Sequence, residues 1–158
     1  MKLSDDARRV IDARELFDAC CELIDQGESV TILAHGSSMT PFLADGRDGI
    51  VLSPITREIV RGDIVLYRRD SGQYVVHRVF RAREHDFDVI GDAQTFVEVG
   101  VRREQLRAVA STVVRKGKRL QKGDLLWEFF EHVWLTLRHL RPAMIRAYGA
   151  VRRRKTDR

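Results

Sequence analysis

The chain has 158 residues, enough for one domain with a single buried core. Hydrophobic residues make up 44% of it and charged residues 32%, which excludes a disordered or fibrous protein. The net charge of +5 is uneven, because residues 115–158 carry 13 Lys and Arg against 4 Asp and Glu, whereas residues 1–114 carry 15 against 19. The basic end therefore predicts an acidic contact for the tail, either an anionic membrane surface or a partner protein, and we expect no specific nucleic-acid binding.

Location and cofactors are constrained by what the sequence lacks. No stretch approaches the roughly 18 uncharged apolar residues of a membrane-spanning helix, and the first residues have no apolar signal region. Cys20 and Cys21 are adjacent, a spacing that suits neither a mutual disulfide nor a metal site. We therefore expect a cytoplasmic protein, peripheral at the inner membrane face where its tail binds lipid, with no metal and no cofactor.

The first two thirds of the chain predict one helix followed by strands. Apolar residues recur at helical spacing over residues 6–26, and Gly27 follows in the position of a helix-ending glycine. Short apolar runs, separated by Gly and Asp, then predict six strands at residues 30–34, 50–52, 64–67, 74–80, 87–90 and 106–114. Because no helical pattern separates them, we expect a mainly β fold, a partly open antiparallel β-barrel-like domain.

The C-terminal part returns to a helical pattern. A basic loop is predicted at residues 115–119, and apolar residues recur at helical spacing from Leu126 to Leu140. Pro142 is expected to interrupt this helix or to begin another over residues 143–151. Trp and Phe on one side suit packing against the domain, a second subunit or a membrane interface, and the pattern does not choose. The expected units are an N-terminal amphipathic helix (1–28), a β domain (29–114) and a C-terminal helical appendage (115–158).

Residues 69–73 predict a hairpin loop between the strand that ends at Tyr67 and the strand that carries His77. Successive side chains of a strand point to opposite faces of a sheet. His77 is therefore expected on the same face as Val75 and Val79, where an apolar residue would be usual. A histidine in such a position is either a satisfied core residue or a functional group.

Three residue types in this chain suit nucleophilic catalysis. A serine hydroxyl becomes a nucleophile when a base removes its proton, and a third group must hold the base in one orientation. Ser38, His77 and Asp92 could take these three roles. Their chemistry alone leaves open a turn serine, a core histidine and a turn aspartate.

Five short segments are more specific together than any one of them alone. In chain order they are Gly36-Ser37-Ser38-Met39-Thr40-Pro41, Leu43-Ala44-Asp45-Gly46-Arg47-Asp48, Arg61-Gly62-Asp63-Ile64-Val65-Leu66-Tyr67, Val76-His77-Arg78-Val79 and Val89-Ile90-Gly91-Asp92. This series resembles the signal peptidase I and LexA-type serine peptidase superfamily over about residues 29–114. There a Ser-Met-x-Pro box carries the nucleophile, a Gly-Asp strand follows, a Lys-Arg or His-Arg pair carries the base, and a late Gly-Asp box closes the site.

The resemblance implies the role of each catalytic residue. Ser38 is the expected nucleophile, because it and not Ser37 directly precedes Met39. His77 falls on the base position, as in the archaeal and endoplasmic-reticulum type of signal peptidase, where typical bacterial enzymes have Lys. Asp92 matches the late Gly-Asp box and is the expected orienting residue of a His base.

The resemblance also implies supporting roles. The oxyanion would be bound by the Ser38 backbone N–H and a second donor. Many relatives have a hydroxyl where this chain has Gly36, so the second donor is open, with Ser37 as a substitute. The residues expected near the site are Gly36, Ser37 and Met39 for oxyanion or substrate binding, and Pro41, Asp63 and Arg78 as structural neighbours.

The implied function is a serine endopeptidase that cleaves a precursor peptide or protein through an acyl-enzyme on Ser38. Signal peptidases normally carry a membrane anchor before the serine, whereas a soluble-looking helix stands there in this chain, so a compact anchorless member is the better match. Two alternatives are a non-catalytic peptide-binding or regulatory module on the same fold and a LexA-like self-cleaving regulator. The single helix before the first strand disfavours the second, which requires a DNA-binding domain.

Overall fold

The computed structural model describes residues 13–156. Helix α1 (Ala13–Asp25) precedes eight strands, which are β1 (Val30–Leu33), β2 (Gly49–Ser53), β3 (Ile64–Arg68), β4 (Tyr74–Ala82), β5 (Asp86–Ile90), β6 (Glu98–Arg102), β7 (Leu106–Arg115) and β8 (Lys118–Leu120). The helical C-terminal part comprises α2 (Leu125–Glu128), a π-helical stretch (Phe129–Trp134), a 3₁₀ turn (Arg138–Leu140) and α3 (Arg141–Thr156). The expected start of the first helix, at residue 6, lies outside the described residues.

All strand pairs form one antiparallel sheet in the order β1-β2-β7-β3-β4-β5-β6, with β8 added to β7. The prediction of a mainly β antiparallel fold with helices at both ends of the chain is therefore confirmed. Between its end strands β1 and β6 the sheet stays open over residues 13–156. The six predicted strands are present, and no strand end is shifted by more than two residues.

Two strands were not predicted. Strand β6 has the sequence Glu-Val-Gly-Val-Arg, in which charged ends and a central glycine interrupt the apolar pattern. Among the strands of residues 13–156 it pairs only with β5. Strand β8 lies within and beyond the expected basic loop. Lys116 and Gly117 both have positive φ values, 50° and 77°, which suit a two-residue hairpin turn and return the chain along β7. The expected loop at residues 115–119 is therefore part of a hairpin. Strand β8 was not predicted because its basic residues lack the apolar pattern of a strand.

The core lies on both faces of the sheet. Strand β3 shows this directly, since Ile64 and Leu66 belong to one buried cluster whereas Val65 and Tyr67 belong to the other. Alternate residues of a strand point to opposite faces, so a strand buried on both sides must be apolar throughout. The first cluster also receives Ile24 of α1. Full burial of each such aliphatic side chain contributes about 1.5–3 kcal/mol.

The C-terminal segment packs against the sheet domain on one side. Trp127, Phe130 and Trp134 are at most 4% exposed and join the first core cluster, where Phe42 contacts the rings of Trp127 and Phe130. The sequence left open whether this aromatic side packs on the domain, on a second subunit or in a membrane interface. In the structure it packs on the domain. The opposite side exposes Leu125, Phe129 and Val133. Over residues 13–156, every helix is too short or too polar to cross a lipid bilayer.

Candidate active site

Ser38 lies in the turn segment between β1 and β2. Its neighbour Met39 is only 6% exposed and anchors this segment in the core cluster, and a cis peptide bond precedes Pro41. Ser38 is half-buried and lines a cavity, whereas Ser37 is exposed outside it. The buried methionine thus fixes which of the two serines faces the cavity.

The cavity has a volume of about 330 Å³. His77 also lines it, although the side chain is only 3% exposed. The sequence-predicted nucleophile and base are therefore brought to one cavity, from β4 and from the segment after β1. Most of the wall is apolar, and it includes Phe17, Ile32, Met39, Leu43, Tyr74 and Val76.

Two strand edges border this cavity without a strand partner among the described residues. One belongs to β1, the end strand of the sheet, whose residues Ile32 and Leu33 line the cavity. The other is the first half of β4, because pairing with β5 starts only at Arg78, after the cavity-lining residues 74–77. Unpaired strand edges present backbone N–H and C=O groups that can hydrogen-bond an added extended chain.

His77 shares its sheet face with Val75 and Val79, as predicted, and its ring lies beside Tyr67. The distance from His77 Nδ1 to Tyr67 Oη is 3.3 Å. Burial lowers the pKa of His77 to about 4, and the nearby Glu98 carboxylate only partly offsets this effect. The imidazole is therefore neutral near pH 7, which is the form that a general base requires.

Asp92 does not take the role that the resemblance implied. Both of its carboxylate oxygens accept hydrogen bonds from Arg78, at 2.9 Å from Nε and 2.9 Å from Nη2, and both side chains are fully buried. Within residues 13–156 no hydrogen bond joins Asp92 to His77. The reason is strand alternation, since His77 and Arg78 are consecutive and point to opposite faces, and Asp92 lies on the Arg78 side. The prediction of Asp92 as the orienting residue is corrected accordingly.

Asp63, expected to be structural, stabilises the turn before β3. It is 3% exposed and accepts hydrogen bonds from the Val60 N–H at 2.9 Å and from both terminal nitrogens of Arg57, at 2.7 and 2.8 Å. Gly62, next to it, has a φ of 96° and donates its N–H to the carbonyl of Val79. This turn lies away from the cavity wall and shapes the start of the strand.

Three N–H groups near the cavity are candidate donors to an oxyanion. The Gly36 N–H donates to Asp45 Oδ1 at 2.9 Å and is therefore occupied. In the described part of the chain, the Ser38 backbone N–H has no hydrogen-bond partner. Gln94 also lines the cavity, and its Oε1 accepts the Gly91 N–H at 3.0 Å, which leaves its amide NH₂ as a donor. Sequence reasoning did not single out Gln94, whose only signal was its place two residues after the late Gly-Asp box.

The loop after β5 holds the Ser38 segment in place. The Ala93 N–H donates to the Ser38 carbonyl at 2.8 Å. The loop is fixed in turn by Arg141, which is fully buried and donates from Nη1 to the carbonyls of Gly91 and Gln94, at 2.9 and 2.8 Å. Trp134 Nε1 donates to the Asp92 carbonyl at 2.7 Å. The C-terminal segment thus supports the candidate site. The sequence did not indicate this role, because Arg141 stands in no recognisable motif.

A methyl group at position 91 would test this support. In Gly91→Ala the added Cβ would lie 2.5 Å from the Ser38 carbonyl oxygen, a backbone atom that can move only with the whole Ser38 segment. We expect the variant to fold less stably, by about 1–3 kcal/mol, and to lose most of any reactivity of Ser38. Thermal unfolding and labelling of Ser38 by an active-site reagent measure the two effects.

Gly149→Ala is the matched control, because a Cβ there meets nothing within 4 Å and Gly149 lies inside α3. We expect this change to leave labelling unchanged and to stabilise the helix by up to about 1 kcal/mol. Wild-type labelling and stability in Gly91→Ala would contradict the support that we assign to this contact.

One group of metal-ligand types exists among the described residues, outside the cavity. The ligand atoms of Glu128, Glu131 and His132 lie within 4.8 Å of one another. Lys122 Nζ, however, lies 3.0 Å from Glu131 Oε1, and Trp127 Nε1 donates to the other oxygen at 3.1 Å. The buried carboxylate is therefore already satisfied by protein groups.

No family model, curated protein or solved structure matches this chain. The chemistry of the cavity therefore follows from its lining residues alone. It combines a half-buried serine, a neutral buried histidine, a backbone N–H next to the serine and two open strand edges.

Proposed function

We propose that this protein is a serine endopeptidase of the signal peptidase type, with a partly open barrel as its peptidase fold. The observation that supports it most is that Ser38 and His77 line one cavity flanked by two unpaired strand edges. A hydroxyl and a neutral imidazole are the groups needed for acyl transfer. The strand edges add the means to hold a peptide in extended form beside them.

The proposed reaction has two steps. His77 takes the Ser38 hydroxyl proton as the Ser38 Oγ attacks the peptide carbonyl, and it then gives that proton to the departing amine. Water, deprotonated by His77, releases the acyl group from Ser38 and restores the hydroxyl. The negative oxygen of each tetrahedral intermediate is bound by the Ser38 backbone N–H and, as second donor, the side-chain amide of Gln94.

The cavity wall supports a preference for apolar side chains in the substrate. Its lining residues are mostly aliphatic and aromatic, and Phe17 and Tyr74 stack with ring centroids 5.3 Å apart at one side. Removing an apolar substrate side chain from water gains about 25 cal/mol per Å² buried, whereas burying a charged side chain costs free energy unless it is paired. Arg69, the charged residue of the lining, already donates hydrogen bonds to Glu98. We propose an extended precursor peptide with an apolar residue in this cavity, processed in the cytoplasm or at the inner membrane face.

Labelling with a fluorophosphonate tests the nucleophile, because this reagent phosphonylates activated serines. We expect the wild type and Ser37→Ala to be labelled at Ser38, and Ser38→Ala to be unlabelled. Intact-mass and peptide mass spectrometry identify the modified residue. Labelling that survives in Ser38→Ala would refute the assignment, and an unreactive wild type would remove the support for an enzyme.

A second candidate function is a peptide-binding module on the same fold that does not cleave. One observation favours it, since no hydrogen bond joins Ser38 Oγ to His77 within residues 13–156. Hydrogen bonds in unliganded catalytic sites are often long, however, and tighten when substrate binds. Binding of an extended apolar peptide to both the wild type and Ser38→Ala, without cleavage by either, would favour the module.

A further inference from the structure

A series of hydrogen-bonding groups runs from His77 through two residues behind the cavity wall to Arg69, which lines the cavity again. Tyr67 is fully buried, and its hydroxyl lies 3.3 Å from His77 Nδ1 and 2.6 Å from Glu98 Oε2. Arg69 Nε donates to the other carboxylate oxygen of Glu98 at 2.9 Å. Tyr67, His77 and Glu98 belong to β3, β4 and β6, and Arg69 directly follows β3, so the sheet holds these groups together.

The groups at the ends of this series determine which atom donates and which accepts in each hydrogen bond. The Arg69 hydrogen bonds lower the pKa of Glu98, which is therefore an ionised carboxylate and can only accept. Burial, followed by the Glu98 carboxylate, raises the pKa of Tyr67 above its ordinary value, so the phenol keeps its one proton. That proton is donated to Glu98. The Tyr67 oxygen is then an acceptor toward His77.

An acceptor at Nδ1 decides the tautomer of a neutral histidine. If Tyr67 accepts there, Nδ1 carries the hydrogen, and Nε2 keeps its lone pair. Nε2 is the atom that a His base uses on a serine when the group behind the ring binds Nδ1–H. The arrangement thus has the form of a Ser-His-Asp site in which a tyrosine stands between the histidine and the carboxylate.

We infer that Tyr67, held by Glu98, is the positioning residue for His77, in the role that the sequence assigned to Asp92. This inference rests on the proposed function for its catalytic consequence, but the tautomer itself does not depend on activity. Asp92 is excluded from the role by its two hydrogen bonds to Arg78. The hairpin register supports the pair, since Tyr67 lies opposite Val75 and is therefore a diagonal neighbour of His77 on the same face.

The tautomer can be measured by NMR on protein labelled with ¹⁵N-histidine. The chain has five histidines, and the His77 signals are identified by their loss in His77→Gln. At pH 7 we expect wild-type His77 to be neutral with the hydrogen on Nδ1. Tyr67→Phe removes the acceptor while keeping the ring, so we expect a mixture of tautomers or a shift to Nε2–H.

The catalytic consequence is a slower reaction of Ser38 with a fluorophosphonate in Tyr67→Phe. We expect a loss of at least about 10-fold, below the limit of about 10⁴-fold that a wrong tautomer costs in Ser-His-Asp peptidases. Tyr148→Phe is the matched control, because Tyr148 is 54% exposed on α3 and is not part of the cavity wall. It should change neither the His77 tautomer nor the labelling rate.

The outcomes separate the two proposals. Nε2–H in the wild type, or an unchanged tautomer and labelling rate in folded Tyr67→Phe, would overturn the role of Tyr67. Circular dichroism and thermal unfolding establish that the variant is folded. A wild type that does not react with the reagent would instead refute the proposed function, while the NMR spectra would still decide whether Tyr67 fixes the ring.

Discussion

Replacement of His77 by glutamine is expected to slow fluorophosphonate labelling of Ser38, and hydrolysis of any peptide substrate, by about 10²–10⁴-fold, the usual contribution of a positioned base. Glutamine is similar in size and polar, so it fills the buried site without supplying a base. The rate constant of labelling, measured at several reagent concentrations, gives the effect. Circular dichroism verifies that the variant is folded.

His35 is the matched control for this experiment, because it also lines the cavity. Its side chain is 83% exposed, and its Nδ1 lies 3.5 Å from Asp45 Oδ1. We expect His35→Gln to retain labelling within about twofold, since an exposed imidazole on the rim is not held in one orientation. Loss of labelling in His35→Gln, with retention in His77→Gln, would move the base from His77 to His35.

The pH dependence gives the same assignment a second test. Because burial lowers the pKa of His77 to about 4, the neutral base is present above that pH, and labelling should be independent of pH from about 5 to 8. The rate should fall as the pH drops through about 4. In an unfolded chain His77 takes up its proton near pH 6.5, so stability also declines as the pH falls from 6.5 toward 4. Circular dichroism at each pH separates the two effects, and an acid limb near pH 6.5 in folded protein would contradict the assignment.

Breaking the Arg78–Asp92 pair is expected to have the largest effect on stability, about 3–5 kcal/mol for either residue alone. Both side chains are fully buried, and Arg78 also donates to the Gly62 carbonyl at 3.0 Å. Asp92→Asn keeps the shape but leaves the guanidinium charge without its counter-charge, and Arg78→Met leaves a buried carboxylate. Urea unfolding measures the loss, and the buried Trp127 and Trp134 give its fluorescence signal.

The double variant Arg78→Met with Asp92→Asn removes both charges, so it should lose less stability than the two single variants together. We expect a coupling energy of at least about 1 kcal/mol. Asp70→Asn is the comparison at the surface, since the Arg102–Asp70 pair is 48% and 76% exposed, and its loss should change the free energy of unfolding little. Single-variant losses at positions 78 and 92 that simply add would contradict a buried pair.

The parts of the fold that could be predicted from the sequence are the local ones. The six predicted strands are apolar runs separated by Gly and Asp, and each run is visible within three to nine residues. Strand β6 escaped prediction because Glu98, Gly100 and Arg102 interrupt its pattern. Its pairing with β5 supplies the structure that its own propensity does not.

The candidate site shows the same limit. Ser38 and His77 were singled out from short segments, and the structure places both at one cavity. The Tyr67 contact was also within reach, because closing the predicted hairpin loop puts residue 67 diagonal to residue 77. Glu98 was not, since it reaches Tyr67 across a separation of 31 residues and lies in an unpredicted strand.

The sequence by itself determined the mainly antiparallel β architecture and the face of β4 that carries His77, because each depends on spacing within a short segment. The preference for Ser38 over Ser37 comes from the family resemblance and stays a prediction. Only the tertiary structure decided which groups His77 and Asp92 contact. Those contacts depend on how β3, β4 and β6 are brought together and on the one-residue alternation that separates His77 from Arg78. A carboxylate that the sequence assigns to the histidine therefore binds an arginine, and a tyrosine lies behind the histidine instead.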